Sequence, residues 1–296
     1  MRVTPETIDS AIAEGHPDLE LEPGNYDPIR CRTRTTLTAI RQWTAHVRGR
    51  EGHGVYLAAG GVVTGLRVTG ADYAGVRFEN GQGGIVRRCW LARNGNGIAA
   101  HHAQDLTIAE NLVEFNGHHV QFYHGLYASG LGLRIERNVF RHNSGWAVHL
   151  VPEVHGAKVT SNLIHGQAGG HGIVIWGGAD NLVANNTIDE ADPLDIRGAD
   201  NLVANNWVEH FDVVDRVRGV YWPIAARPGE AGHVAEDFWG QVTEGDYEGC
   251  FPYRPHMTRP EWRRSWSHGW PYYIATDPMP NPWSNGEAGT LNVRMD

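Results

Sequence analysis

Residues 178–186 read GADNLVANN, and residues 198–206 read GADNLVANN again, twenty positions later. Identical phrases in tandem mark an internal repeat, and weaker copies precede them: NLVEFNG from Asn111, NVFRHNSG from Asn138 and NLIHGQ from Asn162. These copies align Asn111, Asn138, Asn162, Asn186 and Asn206 in one column, with Cys89 in that slot one unit earlier. A second column, Asn94, Asn116 and Asn143, follows five residues behind. Units of roughly 20–30 residues built from short alternating apolar strands denote a solenoid, in which each unit buries its apolar face only against its neighbours.

Each unit also carries a Gly-apolar-x-apolar strand: GVYLA from Gly54, GVRFE from Gly75, GIAAH from Gly97, GLYAS from Gly125, WAVHLV from Trp146, GIVIW from Gly172 and PLDIR from Pro193. The first inward residues are Val55, Val76, Ile98, Leu126, Val148, Ile173 and Leu194. Two shorter strands flank the asparagine, giving three strands per coil with a polar, left-handed-tolerant residue at one tight corner. This arrangement resembles the right-handed parallel β-helix of pectate lyases and their relatives over about residues 20–211. The stacked asparagines resemble that family's ladder, in which side-chain amides bond from coil to coil. The resemblance implies an all-β solenoid and speaks to fold rather than to reaction.

The flanks read differently. Residues 1–19 contain TPETIDSAIAEG, with Thr4 as helix cap, Pro5 at the first helical position, and Ile8, Ala11 and Ile12 on one face, a short helix that plugs the N-terminal end. TLTAI and AHVRG look like incomplete early coils. Residues 212–296 abandon the repeat for a Trp- and Pro-rich extension that holds Trp222, Trp239, Trp262, Trp266, Trp270 and Trp283. Its plain role is to cap or pack on the solenoid, and its sharper role is stacking on sugar rings.

Because strand residues alternate faces, the residues between core positions form two outward columns. One runs Tyr56, Arg77, Ala99, Tyr127, His149, Val174, Asp195; the other runs Ala58, Glu79, His101, Ser129, Val151, Trp176, Arg197. Coils stack about 4.8 Å apart, so Arg77, Glu79, His101, Tyr127 and His149 share one patch. The longest step between core positions is 28 residues, from Ile98 to Leu126, against 21 to 25 elsewhere. Its surplus falls in GHHVQFYH, residues 117–124, a His- and Tyr-rich loop expected to overhang the patch beside Tyr127.

Such a patch suits acid–base work on an acidic sugar. Removing the proton at C5 of a uronate and expelling the 4-linked sugar needs charge neutralisation, a base and an acid. Tyr127 and His149 are expected to carry the reaction, with Arg77 and His101 holding the acidic group; His101 is the alternative base. Glu79, His124, Trp146, Trp176, Asp195 and Arg197 complete the candidate substrate contacts. The expected function is thus a polysaccharide lyase acting by β-elimination. A uronate C5-epimerase, a glycoside hydrolase using Asp192 with Asp195, and a non-catalytic carbohydrate-binding module are the alternatives.

The pectate lyase pattern is not matched throughout. The single lysine, Lys158, is expected in a turn, away from the patch, and no tight acidic trio suggests a catalytic calcium. No cofactor is expected. A divalent metal on His101, His102, His124 or His149 stays open, without HxH or HExxH spacing to support it. The net charge of -9 argues against nucleic acid, and opposes a strongly polyanionic substrate unless the patch is locally positive. At 41% hydrophobic and 20% charged residues the chain has material for a core, and no apolar run suits a membrane span or signal peptide. The expected setting is cytoplasmic, or secreted with the leader removed. Cys31, Cys89 and Cys250 are too scattered for a disulfide framework and are expected as buried thiols.

Overall fold

The computed structural model describes residues 1–117, 123–167, 171–189, 192–199, 201–204, 206–208, 220–221 and 224–225. Among these the chain winds as a right-handed parallel β-helix of three sheets, with 11, 10 and 8 strands. Consecutive strands of one coil fall in different sheets, and each pairs in parallel with the equivalent strand one coil away. All-parallel pairing with every apolar face turned inward encloses one continuous core.

Register bears out the inward column residue for residue. Val55 lies opposite Val76, Val76 opposite Ile98, Ile98 opposite Leu126, Leu126 opposite Val148, Val148 opposite Ile173 and Ile173 opposite Leu194, all buried. Phe78 and Phe140 fill wider parts of the same core.

The corners explain the asparagines, with one refinement to the sequence reading. The left-handed residue is the one before each ladder position: Arg88 before Cys89, and Glu110, Arg137, Ser161 and Asn185 before asparagines, have φ between 53° and 58°. The asparagine itself turns inward, where its amide replaces backbone partners lost at the bend. Asn138 shows the pattern: Nδ2 donates to Ile108 O (2.8 Å) and to Asn162 Oδ1 (3.0 Å), while Oδ1 accepts from Asn111 N (3.0 Å) and Asn111 Nδ2 (2.9 Å). The ladder continues through Asn186 to Asn206. Cys89, buried in the same slot, begins it by donating its backbone N–H to Asn111 Oδ1. A second ladder links Asn94, Asn116 and Asn143 and ends on Gln167. A third, unforeseen one joins Asn181 to Asn201, the repeated phrase seen first.

Three local expectations are corrected. The helix spans Ile8–Ala13 with Thr7, not Thr4, at its N-cap, because the Thr4 carbonyl instead closes a turn by accepting from the backbone of Thr7 and Ile8. TLTAI and AHVRG are full members of the solenoid: Thr35–Ala39 and Ala45–Arg48 each pair on both sides. Lys158 opens the strand Lys158–Thr160 instead of sitting in a turn, in register with Arg134 and Leu182, which open the neighbouring strands; the side chain is exposed and away from the patch. Ile8 and Ala11 are buried as expected, with Ile12 packed alongside. Beyond residue 211, Val220–Tyr221 and Ile224–Ala225 each add a strand to a sheet; the tryptophans named above and Cys250 lie outside the described residues. Cys31 and Cys89 are buried free thiols.

Candidate active site on the eight-stranded sheet

The site is built on the outer face of the eight-stranded sheet. The glycine opening each strand decides which side chains reach it. A Cβ on Gly75 would strike the ladder amide of Asn94, and one on Gly97 would strike Val113 and Asn116. The glycine therefore faces the interior together with the core residue after it, and the alternation changes phase there. The residue before the glycine is turned outward. This creates a third outward column at the strand entry, containing His53, Asn96, His124 and His171, with Trp146 in the same place before the buried Ala147. Simple alternation places these residues inward, and the recurring glycine is the sequence signal that corrects it.

The first expected column holds in register throughout, and the second holds at Glu79–His101 and at Trp176–Arg197. Arg77 lies opposite Tyr56 and Ala99, Tyr127 opposite Ala99 and His149, and Glu79 opposite His101. Past His101 the register shifts at a bulge, where His102 takes φ 48° and donates its N–H to Ser129 Oγ (3.0 Å). Gly130 tolerates this because a Cβ there would collide with the carbonyl of Ala103. Asp195 and Arg197 continue the columns by backbone register, opposite Val174 and Trp176, with side chains outside the described residues.

Aromatic rings meet around Tyr127. Its ring centroid is 5.4 Å from His101, 5.8 Å from His124 and 5.1 Å from His149. Trp146 stacks on the other face of this group, 4.9 Å from His124 at 22°, and meets His149 edge-on at 4.3 Å. Trp176 lies 4.8 Å from His149 and is the exposed edge of the cluster. The outward face is thus drier than alternation alone implies: Arg77 and His149 are only 6% and 4% exposed.

Polar contacts set the electrostatics. Arg77 lies 3.5 Å from Glu79 and donates to Tyr73 Oη at 3.4 Å, while its Nε is buried without a partner. Tyr56 donates to Glu79 at 3.0 Å, and that hydrogen bond, helped by Arg77, holds the Glu79 carboxyl below its ordinary value. Burial, then Arg77, pulls the His101 imidazole down, and its Nε2 is buried without a partner. Burial pushes the Tyr127 phenol up. Burial takes His124 down to about 4, and burial with Arg77 takes His53 down to about 4. The site thus offers a neutral imidazole and a protonated phenol at neutral pH, beside a buried guanidinium.

Residues 118–122 of the long loop lie outside the described residues, but its end reaches the patch: Tyr123 meets Tyr73 edge-on at 5.9 Å. His53 and Tyr73 extend the aromatic surface one coil earlier than the sequence reading placed it. Among the described residues no three metal-ligating side chains converge. No helix among them is long and apolar enough to cross a membrane.

With this geometry in view, comparison places the chain in a family. The right-handed β-helix region family matches residues 40–188, just over half of the 296 residues, and the protein belongs to it. The fold is similar to the crystal structure of an alginate lyase from Paenibacillus sp. str. FPU-7, with TM-score 0.58 and 16% identity, covering 74% of this chain and 93% of that one. It is also similar to pectate lyase Pel9A, with TM-score 0.56 and 13% identity over 83% of this chain and 82% of that one. None of the curated proteins matches this sequence.

Proposed function

We propose that the protein is a carbohydrate-active enzyme that cleaves a uronate polysaccharide by β-elimination on the face centred on Tyr127. The observation that supports this most directly is the gathering of His101, His124 and His149 around the Tyr127 ring, next to the buried Arg77. A lyase fold in the two similar structures agrees with it.

The residues divide the work according to their protonation. Neutral His101 accepts the C5 proton. The freed electron pair forms the C4–C5 double bond, the C4–O bond breaks, and the leaving oxygen takes its proton from Tyr127. Burial keeps that phenol protonated until it is needed. Arg77 offsets the charge that develops on the uronate carboxylate and its enolate, the contribution that usually matters most. Glu79 cancels part of that charge in the free enzyme, so His149 shares the task. Trp146 and Trp176 supply flat apolar faces for a sugar ring.

The test is turnover of alginate and of polygalacturonate, followed by the ultraviolet absorbance of the unsaturated product. Wild-type protein should produce it on one of the two, and Tyr127→Phe should lower the rate about 10²- to 10⁴-fold with unchanged circular dichroism. Inversion at C5 without absorbance would replace the lyase by an epimerase. Full activity in both Tyr127→Phe and His101→Ala would remove the patch from the mechanism.

A further inference from the structure

We propose that His124 is a positioning residue that locks His149 in the tautomer bearing hydrogen on Nε2, so that His149 is a fixed neutral ring and not a base. This rests on the reading of the Tyr127 face as the reaction centre, and it reverses the role that the sequence suggests for His149.

The argument starts from a group that has only one option. The backbone N–H of Trp146 can donate but not accept, and it points at His124 Nδ1 at 3.1 Å. That nitrogen must present its lone pair, so neutral His124 carries its hydrogen on Nε2. His124 Nε2 lies 3.1 Å from His149 Nδ1. The His149 nitrogen must then accept, and neutral His149 carries its hydrogen on Nε2. A hydrogen on His149 Nδ1 would set two N–H groups face to face. A base needs an available lone pair, and this chain of bonds leaves His149 none: Nδ1 is engaged by His124 and Nε2 carries the hydrogen.

The lock is rigidly held. His124 is sandwiched between Trp146 (4.9 Å, 22°) and Tyr127 (5.8 Å, 13°), and its own backbone N–H donates to Asn96 Oδ1 at 2.8 Å. His124 and His149 are 5% and 4% exposed, so solvent does not compete for the bond between them. Burial keeps His124 neutral, since its pKa lies far below the working range.

The experiment is two-bond proton–nitrogen correlation on the ¹⁵N-labelled full chain at about pH 7, where the two neutral tautomers and the imidazolium have distinct nitrogen shifts. Both His124 and His149 should show the Nε2–H form. In His124→Phe the ring packing is kept and both bonds are lost, so His149 should populate both tautomers. His124→Gln, whose amide can still donate to His149 Nδ1, should restore the single form and most of the turnover lost in His124→Phe. An Nδ1–H form for His149 in the wild type, or an unchanged His149 spectrum in His124→Phe, overturns the lock. The wild-type spectrum decides even if His124→Phe does not fold. Because the spectrum needs no substrate, an inert protein with the Nε2–H pair would sink the proposed activity alone. An active one with an Nδ1–H His149 would sink the lock alone.

Discussion

His53 and His124 show how much a residue's behaviour depends on where its ring is buried. Both lie at strand entries with their pKa values lowered from 6.5 to about 4, burial being the main cause in each. The unfolded chain therefore takes up protons at these sites at a higher pH than the folded one. Stability from this source is complete above about pH 6.5 and is lost as pH falls toward 4. Glu110 acts lower down: burial favours its neutral form, but hydrogen bonds from Arg87 and Arg88 prevail and its pKa is lowered from 4.5. Between about pH 4.5 and 6.5 the histidines thus dominate the slope. The melting temperature should decline across that window in the wild type and decline less in His124→Gln. A flat profile there would show that these rings are hydrated. The histidines were legible as a cluster in the sequence, but their pairing was not, because His124 and His149 are 25 positions apart and meet only through coil stacking.

Among the elements, the corner is where sequence and structure agree in outcome and differ in detail. Asparagine tolerates the left-handed region, so its recurrence reads as the turn residue itself. The structure instead gives that conformation to arginine, glutamate, serine and, once, Asn185, and uses the asparagine that follows as an inward amide bonded along the stack. The energetic weight therefore lies in the amide. Asn138→Leu keeps the volume but leaves Asn111 N–H, Ile108 O and half of the Asn162 acceptor unpaired in a dry corner. It should cost about 1–3 kcal/mol in chemical denaturation. An unchanged midpoint would mean that the ladder contributes nothing beyond occupying space.

For the molecule as a whole, the solenoid's ends are the places where stacking can fail. Each coil is stabilised by its neighbours, so the first coil depends on the helix Ile8–Ala13 to cover it. Ile8 is 4% exposed against that coil. Ile8→Ala should cost about 2–4 kcal/mol, and hydrogen exchange should quicken first in Asp18–Leu21, while the strands around Tyr127 keep their protection. Uniform loss of protection would instead mark the solenoid as one cooperative unit. We further propose the division 1–19 for the cap, 20–211 for the β-helix and 212–296 for an extension associated with its C-terminal end.

The repeat, the parallel solenoid, the inward column from Val55 to Leu194 and the outward column that carries Arg77, Tyr127 and His149 are all legible in the sequence. These follow from period and alternation, which are local properties of the chain. Only the tertiary structure decided the rest. It placed His53 and Asn96 on the outer face beside His124 and Trp146, because an inward glycine, or Ala147 in the coil of Trp146, changes the phase of the strand. It showed Arg77 already paired with Glu79, because a charge and its partner two residues away lie on the same face of one strand. It oriented His149 through His124 and Trp146, because a hydrogen bond's direction depends on which atoms face each other across coils, and residue spacing carries no such information.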